Sequence, residues 1–117
     1  MKQKKISGGL RKKACLKKNK KNLPLVSIIT VVLNNKKFLQ QSINSVLNQS
    51  YKNYEHIIID GKSTDGTVEI LKKNNSKIDY WVSEKDRGIY DAMNNGIKLS
   101  RGSLIVILNS DDVFYKH

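Results

Sequence analysis

The stretch that decides the fold is VSIITVVL, Val26 to Leu33, an almost uninterrupted run of apolar and mostly β-branched residues. Such a run is typical of a strand that is buried on both faces of a parallel sheet. A second run of this kind, LIVIL from Leu104 to Leu108, also predicts a buried strand. Shorter apolar runs at His56 to Ile59 and Ile78 to Val82 predict two further strands between them.

Apolar residues at helical spacing separate these strands. Lys36 to Asn48 is predicted as a helix whose apolar face carries Leu39, Ile43, Val46 and Leu47. A shorter helix follows the N-cap candidates Ser63, Thr64 and Asp65, and a third repeats Ile89, Ala92, Met93 and Gly96 up to Leu99. Parallel strands joined by right-handed helical crossovers satisfy this order best. The predicted fold class is therefore α/β, with a four-stranded, mainly parallel sheet flanked by helices.

Positive charge is concentrated at the start of the chain. The 117 residues carry 22 Lys and Arg against 10 Asp and Glu, and ten of the basic residues fall within the first 22 positions, where no acid occurs. Such a segment has too little apolar content to offset the entropy of ordering. We therefore expect residues 1–23 to form a basic disordered tail and residues 24–117 to form a single folded domain.

The tail and its cysteine bear on partners and location. A solvated extension and a peripheral contact with an anionic membrane are both consistent with clustered Lys and Arg. Nucleic acid is not an expected partner, because the tail has no aromatic residue and the charge of the folded part is close to neutral. Cys15 is the only cysteine, which fits a reducing compartment. We expect a cytoplasmic location, either free or at the cytoplasmic face of a membrane.

Polar clusters follow three of the predicted strands, at Thr30 to Asn35, Asp60 to Asp65 and Asn109 to Asp112. Ligands of open α/β sheets bind beyond the carboxyl ends of the strands, so these clusters predict a binding site. In the third cluster the adjacent carboxylates of Asp111 and Asp112 would be stabilised by a hard cation such as Mg²⁺. An ordinary polar turn explains the same residues equally well.

Two common nucleotide motifs are absent. Gly61 to Thr64 (GKST) imitates the end of a phosphate-binding P-loop, but His56 stands where that motif requires its first glycine. No glycine-rich dinucleotide fingerprint follows the first strand, which disfavours a nicotinamide dehydrogenase. His56 itself lies within an apolar strand and is interpreted as a structural histidine.

Four blocks of sequence, in order and at the right spacing, resemble the amino-terminal half of family 2 glycosyltransferases, which have the GT-A fold. The blocks are Val26 to Asn34 (VSIITVVLN), Phe38 to Gln49 (FLQQSINSVLNQ), Ile57 to Thr67 (IIIDGKSTDGT), and Ser83 to Asn94 (SEKDRGIYDAMN) leading to Leu108 to Asp112 (LNSDD). The resemblance covers Pro24 to Tyr115. It implies a GT-A-type, Rossmann-like sheet that stops after the family's Asp-x-Asp loop.

The resemblance also implies roles for individual residues. Residues expected to bind the nucleotide sugar are Thr30, Asn34, Asp60, Asp86, Asn94, Ser110 and Asp111, and those expected to hold the metal, Mg²⁺ or Mn²⁺, are Asp111 and Asp112. Three departures from the family pattern matter. Leu33 replaces a tyrosine near the base, Gly61 replaces a second aspartate and shifts the base contact to Asp60, and Asn109 replaces the first acid of Asp-x-Asp.

The implied reaction is an inverting transfer from a nucleotide-diphosphate sugar, preferably a UDP-sugar, to a glycan or lipid-linked acceptor in cell-surface polysaccharide synthesis. The family's acceptor-binding half and catalytic base follow the Asp-x-Asp loop, and only Val113 to His117 remain here. No catalytic residue is therefore assigned, and we expect this chain by itself to be inactive in transfer. The alternative is a non-catalytic nucleotide-binding α/β module. A receiver-like signalling domain is disfavoured because the first strand ends in Val32-Leu33-Asn34 rather than in acids.

Overall fold

The fold follows the predicted alternation of strands and helices. The computed structural model describes residues 5–13, 17–20 and 22–113, so Cys15 and the segment from residue 114 onward lie outside the described part. The elements in chain order are β1 (Ile6–Gly8), a 3-10 turn (Leu10–Lys13), β2 (Val26–Val32), α1 (Lys36–Leu47), β3 (Tyr54–Asp60), α2 (Thr67–Lys73), β4 (Tyr80–Ser83), α3 (Ile89–Leu99) and β5 (Leu104–Ile107).

The strands form one five-stranded sheet in the order β1-β4-β3-β2-β5. β2 pairs in parallel with β3 and β5, β3 pairs in parallel with β4, and β1 is antiparallel to β4. Asp60 at the end of β3 lies opposite Val32 of β2 and Ser83 of β4, so these three strands end level with one another. The α/β prediction is confirmed, and the four predicted strands are the parallel ones.

Helices cover both faces of the sheet. Alternate strand residues point to opposite faces, and Val32 and Ile58 pack against α1 and α2, whereas Val31 and Ile57 pack on the side of α3. The helical faces are largely as predicted: the buried residues of α1 include Leu39, Ile43 and Val46, and those of α3 are Ala92 and Gly96. Among the helices of the described residues, none has both the length and the apolar character needed to span a membrane.

Gly96 sets the distance between α3 and the sheet. A Cβ built on this residue would lie 2.4 Å from Cγ2 of Ile29 in β2, which is closer than carbon atoms can approach. Glycine therefore lets the helix backbone pack directly on the strand. This close packing holds the carboxyl-terminal half of α3 against the middle of β2.

The start of the chain is docked on the sheet, contrary to the expectation of a disordered tail for residues 1–23. Ile6–Gly8 pairs with Trp81–Ser83 as an edge strand, and the backbone amides of Leu10 and Arg11 donate to the carbonyls of Ile78 and Asp79. The expectation is wrong for the described part of this segment. Its remaining positions, 1–4, 14–16 and 21, lie outside the described residues.

Buried acids explain why a lysine-rich segment docks there. Glu55, 1% exposed, forms a salt bridge of 2.5 Å with Arg11, and Asp79, 3% exposed, pairs with Lys17 at 3.2 Å. A charge buried without a partner is strongly unfavourable, so the basic segment supplies the compensation that the rest of the sheet lacks. Burial still raises the pKa of Asp79 above its usual value.

β5 departs from the predicted burial. The sequence predicts a fully buried strand, yet Leu104, Ile105, Val106 and Ile107 are all exposed, by 57, 43, 37 and 39%. β5 is the edge strand beside β2, and no further strand pairs with its outer side among the described residues. The apolar sequence of β5 is therefore that of an interior strand in an edge position.

Candidate functional site

A cavity of about 380 Å³ opens at the carboxyl ends of β2 and β5, beside the amino end of α3. The residues lining it are Val31, Val32, Leu33, Asn35, Asp86, Gly88, Ile89, Ala92, Asn109, Ser110 and Asp111. Open parallel sheets bind ligands at this edge, because the loops that leave adjacent strands diverge there. The cavity combines an apolar floor from β2 with two carboxylates.

The loop after β5 supplies one of these carboxylates. The amide of Asp112 donates to the carbonyl of Asn109 at 3.0 Å, so Asn109 to Asp112 forms a closed turn. Asp111 is exposed and lines the cavity, whereas Asp112 is exposed but is not part of the lining. The segment is therefore both a polar turn and part of the cavity wall, and the two interpretations from sequence do not exclude each other.

Asn35 ties this loop to the end of β2. Its side-chain Nδ2 donates to the hydroxyl of Ser110 at 2.9 Å, and Ser110 is buried. The contact joins segments that are 75 residues apart and makes one wall of the cavity continuous. Asn35 belongs to the polar cluster that follows β2, but nothing in the sequence distinguishes it from the other members of that cluster. Gly88 and Ile89 were likewise not among the predicted site residues.

The second carboxylate of the cavity comes from Asp86, in the segment between β4 and α3. This side chain is half-buried, and its Oδ1 accepts a hydrogen bond from the Gly88 amide at 3.0 Å. Gly88 has a φ of 114° and directly precedes α3. The left-handed region favours glycine, so the tight turn that brings Asp86 to the cavity depends on this residue.

Asp60 and Asn34 lie near the cavity but are engaged within the protein. Asp60 is fully buried and accepts hydrogen bonds from the Ser63 amide at 3.0 Å, from the Ser83 hydroxyl at 2.6 Å and from the Ser63 hydroxyl. Asn34 donates its amide to the Ser63 hydroxyl at 2.7 Å and accepts from the Thr64 amide at 2.8 Å. Asn34 holds the loop after β2 against the loop after β3, whereas Asp60 ties the loop after β3 to the end of β4. Neither residue lines the cavity.

Thr30 and Asn94 are not brought to the cavity. Thr30 is fully buried within β2, which extends two residues further before its loop begins, and its hydroxyl shares a hydrogen bond of 2.8 Å with Nε2 of His56. Asn94 is exposed on α3, outside the cavity lining. Of the seven residues expected to bind the nucleotide, Asp86, Ser110 and Asp111 line the cavity.

The neighbouring acid Asp65 acts at helix ends, although the N-cap residue of α2 is Gly66 and not one of the predicted candidates Ser63, Thr64 and Asp65. Its carboxylate accepts from the Thr67 amide at 3.0 Å and from the Lys36 amide at 3.1 Å, which are the first residues of α2 and α1. The hydrogen bond from the Thr67 hydroxyl is the main reason that the pKa of Asp65 lies below its usual value. Asp65 therefore positions two helices and is not a cavity residue.

A metal ion would need ligands beyond the protein at this site. Within the described residues, no three His, Cys, Asp or Glu side chains are grouped so as to hold a metal ion. The carboxylates available at or beside the cavity are the successive Asp111 and Asp112 and, from the other loop, Asp86. Oxygen ligands of this type suit Mg²⁺ or Mn²⁺, which commonly complete their coordination with water and substrate phosphates.

A family model described as glycosyl transferase family 2 matches residues 27–117. The chain belongs to this family. It is thereby a member of a class of transferases, and the resemblance of its four sequence blocks is confirmed.

Curated relatives of the chain are also named as glycosyltransferases. An uncharacterised glycosyltransferase of Mycobacterium tuberculosis (strain ATCC 25618 / H37Rv) is 45% identical over 92 residues, which cover 78% of this chain and 35% of that protein. The putative teichuronic acid biosynthesis glycosyltransferase TuaG of Bacillus subtilis (strain 168) is 36% identical over 96 residues, which cover 80% of this chain and 38% of TuaG. The chain thus spans little more than a third of the length of these family members.

Solved structures share the fold. The mannosyltransferase PcManGT from Pyrobaculum calidifontis, in complex with GDP-Man and Mn²⁺, superposes with a TM-score of 0.70 at 23% identity, over 85% of this chain and 30% of that one. Residues 1–349 of S. aureus TarS, in complex with UDP-GlcNAc, superpose with a TM-score of 0.67 at 24% identity, over 75% of this chain and 27% of that one. The sheet described above is that of GT-A glycosyltransferases.

Proposed function

We propose that this chain is the donor-binding portion of an inverting family 2 glycosyltransferase, and that its cavity holds a nucleotide-diphosphate sugar together with a divalent cation. The observation that carries the proposal is the cavity at the ends of β2 and β5, which Asp86 and Asp111 line from two different loops. The donors in the titles of the two structural neighbours, GDP-Man and UDP-GlcNAc, support the class of ligand. Because one donor contains guanine and the other uracil, they do not decide which base this chain binds.

The metal fits the residues that are present. Asp111, with Asp112 beside it, would offer carboxylate oxygens to Mg²⁺ or Mn²⁺, and the donor diphosphate would provide further oxygens. Such a cation stabilises the negative charge that develops on a leaving diphosphate. The Mn²⁺ in the PcManGT complex supports this assignment. The contribution of Asn35 is to hold the loop of Asp111 through its hydrogen bond to Ser110.

In the reaction that we propose for the whole enzyme, an acceptor hydroxyl attacks the anomeric carbon of the donor while the bond to the diphosphate breaks. The acceptor proton would pass to a general base, and no residue of the described cavity is assigned that role. We propose a glycan or lipid-linked acceptor and a function in cell-surface polysaccharide synthesis, which the name of TuaG supports. A cytoplasmic location, free or at the membrane face, and contact of the basic residues with anionic lipid remain predictions.

Calorimetric titration of the full chain tests the donor site. UDP or GDP should bind more tightly with Mn²⁺ than without it, and Asp111→Asn should weaken binding in the presence of Mn²⁺ by about tenfold or more, equivalent to about 1.4 kcal/mol. Glu69→Gln is the matched control, because it removes one negative charge from an exposed position on α2. Equal metal-dependent affinity in Asp111→Asn and Glu69→Gln would show that the cation site is misplaced. Nucleotide binding that does not depend on metal would favour the non-catalytic nucleotide-binding module.

A further inference from the structure

The acids and the exposed basic residues of this protein are separated between the two ends of its parallel strands. Of its ten acids, Glu55, Asp60 and Asp79 are buried, and the other seven lie in the loops that follow β3, β4 and β5 or in the first turns of α2 and α3. These loops and turns stand at the carboxyl ends of the strands, beside the cavity. The acids near the amino ends are Glu55 and Asp79, and both form salt bridges with the docked segment. Within the described residues, the amino ends of the parallel strands therefore present no exposed acid.

Exposed basic residues occupy this end of the sheet. Lys52 lies two residues before β3, Lys77 lies between α2 and β4, and Arg101 lies between α3 and β5. A helix that joins two parallel strands runs back towards their amino ends, so Lys98, in the last turn of α3, lies at the same end. The near-neutral charge of the folded part thus conceals a strong separation of charge.

The docked segment adds two lysines at this end. The side-chain Oδ1 of Asn19 accepts from the amide of Leu25, directly before β2, at 2.7 Å. Asn53, directly before β3, donates from its Nδ2 to the carbonyl of Lys18 at 3.0 Å. The segment is thereby held over the amino ends of two neighbouring strands. The six exposed side chains that we call the basic face are those of Lys18, Lys20, Lys52, Lys77, Lys98 and Arg101.

Apolar side chains lie among these charges. Leu23 is 47% exposed and pairs through its backbone with Lys20, and Tyr51, 39% exposed, donates its hydroxyl to the carbonyl of Pro24. A lipid interface accepts lysines together with partly inserted apolar side chains, whereas phosphate charge dominates the affinity of nucleic acid. This mixture favours a bilayer as the partner. A second cavity of about 220 Å³ adds apolar surface at the start of β2 and β3, and it is lined by Val26, Ile28, Gln49, Tyr51, Tyr54 and Val106.

We propose that the basic face binds an anionic lipid bilayer, with its Lys and Arg side chains at the headgroups and Leu23 in the interface. Clustered basic residues are attracted to such a surface within about a Debye length, which is about 10 Å at 0.1 M salt. β2 is seven residues long, so about 20 Å separates the basic face from the cavity, and a docked molecule keeps its cavity open to solvent. The inference assigns to the folded domain a contact that the sequence predicts for a disordered tail. It does not depend on nucleotide binding in the cavity.

Sedimentation of the full chain with vesicles of equal parts phosphatidylglycerol and phosphatidylcholine tests the basic face. Lys20→Gln, Lys52→Gln and Arg101→Gln, combined in one variant, should weaken binding by about tenfold or more, because each basic residue near an anionic surface contributes several-fold. The matched control combines Lys37→Gln, Lys62→Gln and Lys85→Gln, which remove the same charge from exposed positions at the carboxyl ends of the strands, and it should bind nearly as the parent does. Leu23→Ser should weaken binding to vesicles several-fold and leave binding to polyuridylate unchanged.

Several outcomes would overturn the inference. Equal losses in the two triple variants would mean that net charge, and not the basic face, attracts the vesicles. Polyuridylate or polyglutamate that binds the parent as tightly as the vesicles do would replace the bilayer by a nucleic acid or an acidic protein. Urea denaturation checks folding, and if the first triple variant unfolds, Lys52→Gln against Lys62→Gln makes the same comparison. Titration of UDP and GDP with Mn²⁺ should give the parent's result in the first triple variant, so the lipid contact and the donor site can fail separately.

Discussion

Acidification should destabilise this protein through one buried histidine. His56 lies within β3 with 1% of its surface exposed, and its Nδ1 has no hydrogen-bond partner among the described residues. Burial, with a smaller contribution from the charge of Lys17, lowers the pKa of His56 from 6.5 to about 3. The native state therefore keeps this ring neutral at pH values where the unfolded chain protonates it.

The magnitude follows from this difference in pKa. The pKa of His56 is lower in the native state than in the unfolded chain. Neutral His56 therefore contributes its full share to the free energy of unfolding above pH 6.5, and this share is lost as the pH falls from 6.5 towards 3. Since one pKa unit corresponds to about 1.4 kcal/mol, the free energy of unfolding should fall by about 2 kcal/mol between about pH 7.5 and about pH 5. Asp79 acts in the opposite direction, because burial raises its pKa and the native state takes up that proton more readily.

Urea denaturation at the two pH values, followed by tryptophan fluorescence, measures this loss. His56→Gln cannot titrate, retains Asp79, and should lose about 2 kcal/mol less than the parent on acidification. His117→Gln, which removes the other histidine of the sequence, is the control and should behave like the parent. The same pH dependence in His56→Gln and in the parent would refute the assignment of the effect to His56.

Two further predictions concern the edges of the sheet. Arg11→Met leaves Glu55 buried without its ion-pair partner and should lower the free energy of unfolding by about 3 kcal/mol, whereas Lys12→Met, at an exposed neighbouring position, should change it by less than about 0.5 kcal/mol. Equal urea midpoints for the two variants would mean that the docked segment contributes nothing. Ile105→Lys should reduce self-association in sedimentation experiments, because a charge on an edge strand opposes pairing, while Ile97→Lys on α3, with nearly the same exposure of 44 against 43%, should not. If both lysines act alike, general solubility and not the β5 edge would be the cause.

The sequence was sufficient for the parallel core of this fold. The apolar patterns of VSIITVVL and of the three helical stretches are local properties of the sequence. Helix α3, for example, was predicted at the residues where it occurs, Ile89–Leu99. β1 could not be found in this way, because Ile6–Gly8 is short and is surrounded by lysines. The segment that contains β1 is held by a pair of buried acids, Glu55 and Asp79, which lie 44 and 62 residues along the chain from their partners Arg11 and Lys17.

The site was predictable to the level of loops but not of side chains. The three polar clusters do meet at one edge of the sheet, as strand polarity requires, and Ser110 and Asp111 lie in the cavity. Asp60 was chosen because it ends a buried strand, yet the hydroxyls of Ser63 and Ser83 occupy its carboxylate. Which of several acids is free for a ligand depends on such long-range hydrogen bonds, and spacing along the chain does not contain that information.

The two edges of the sheet differ in how readily they can pair with a further strand. β1, a short antiparallel strand, covers the free side of β4, and short edge strands discourage further pairing. On the opposite side β5 offers an unpaired row of amides and carbonyls over Leu104–Ile107 within the described residues. Any strand added to this sheet would therefore pair with β5, and one end of it would lie beside Asn109 and Asp111.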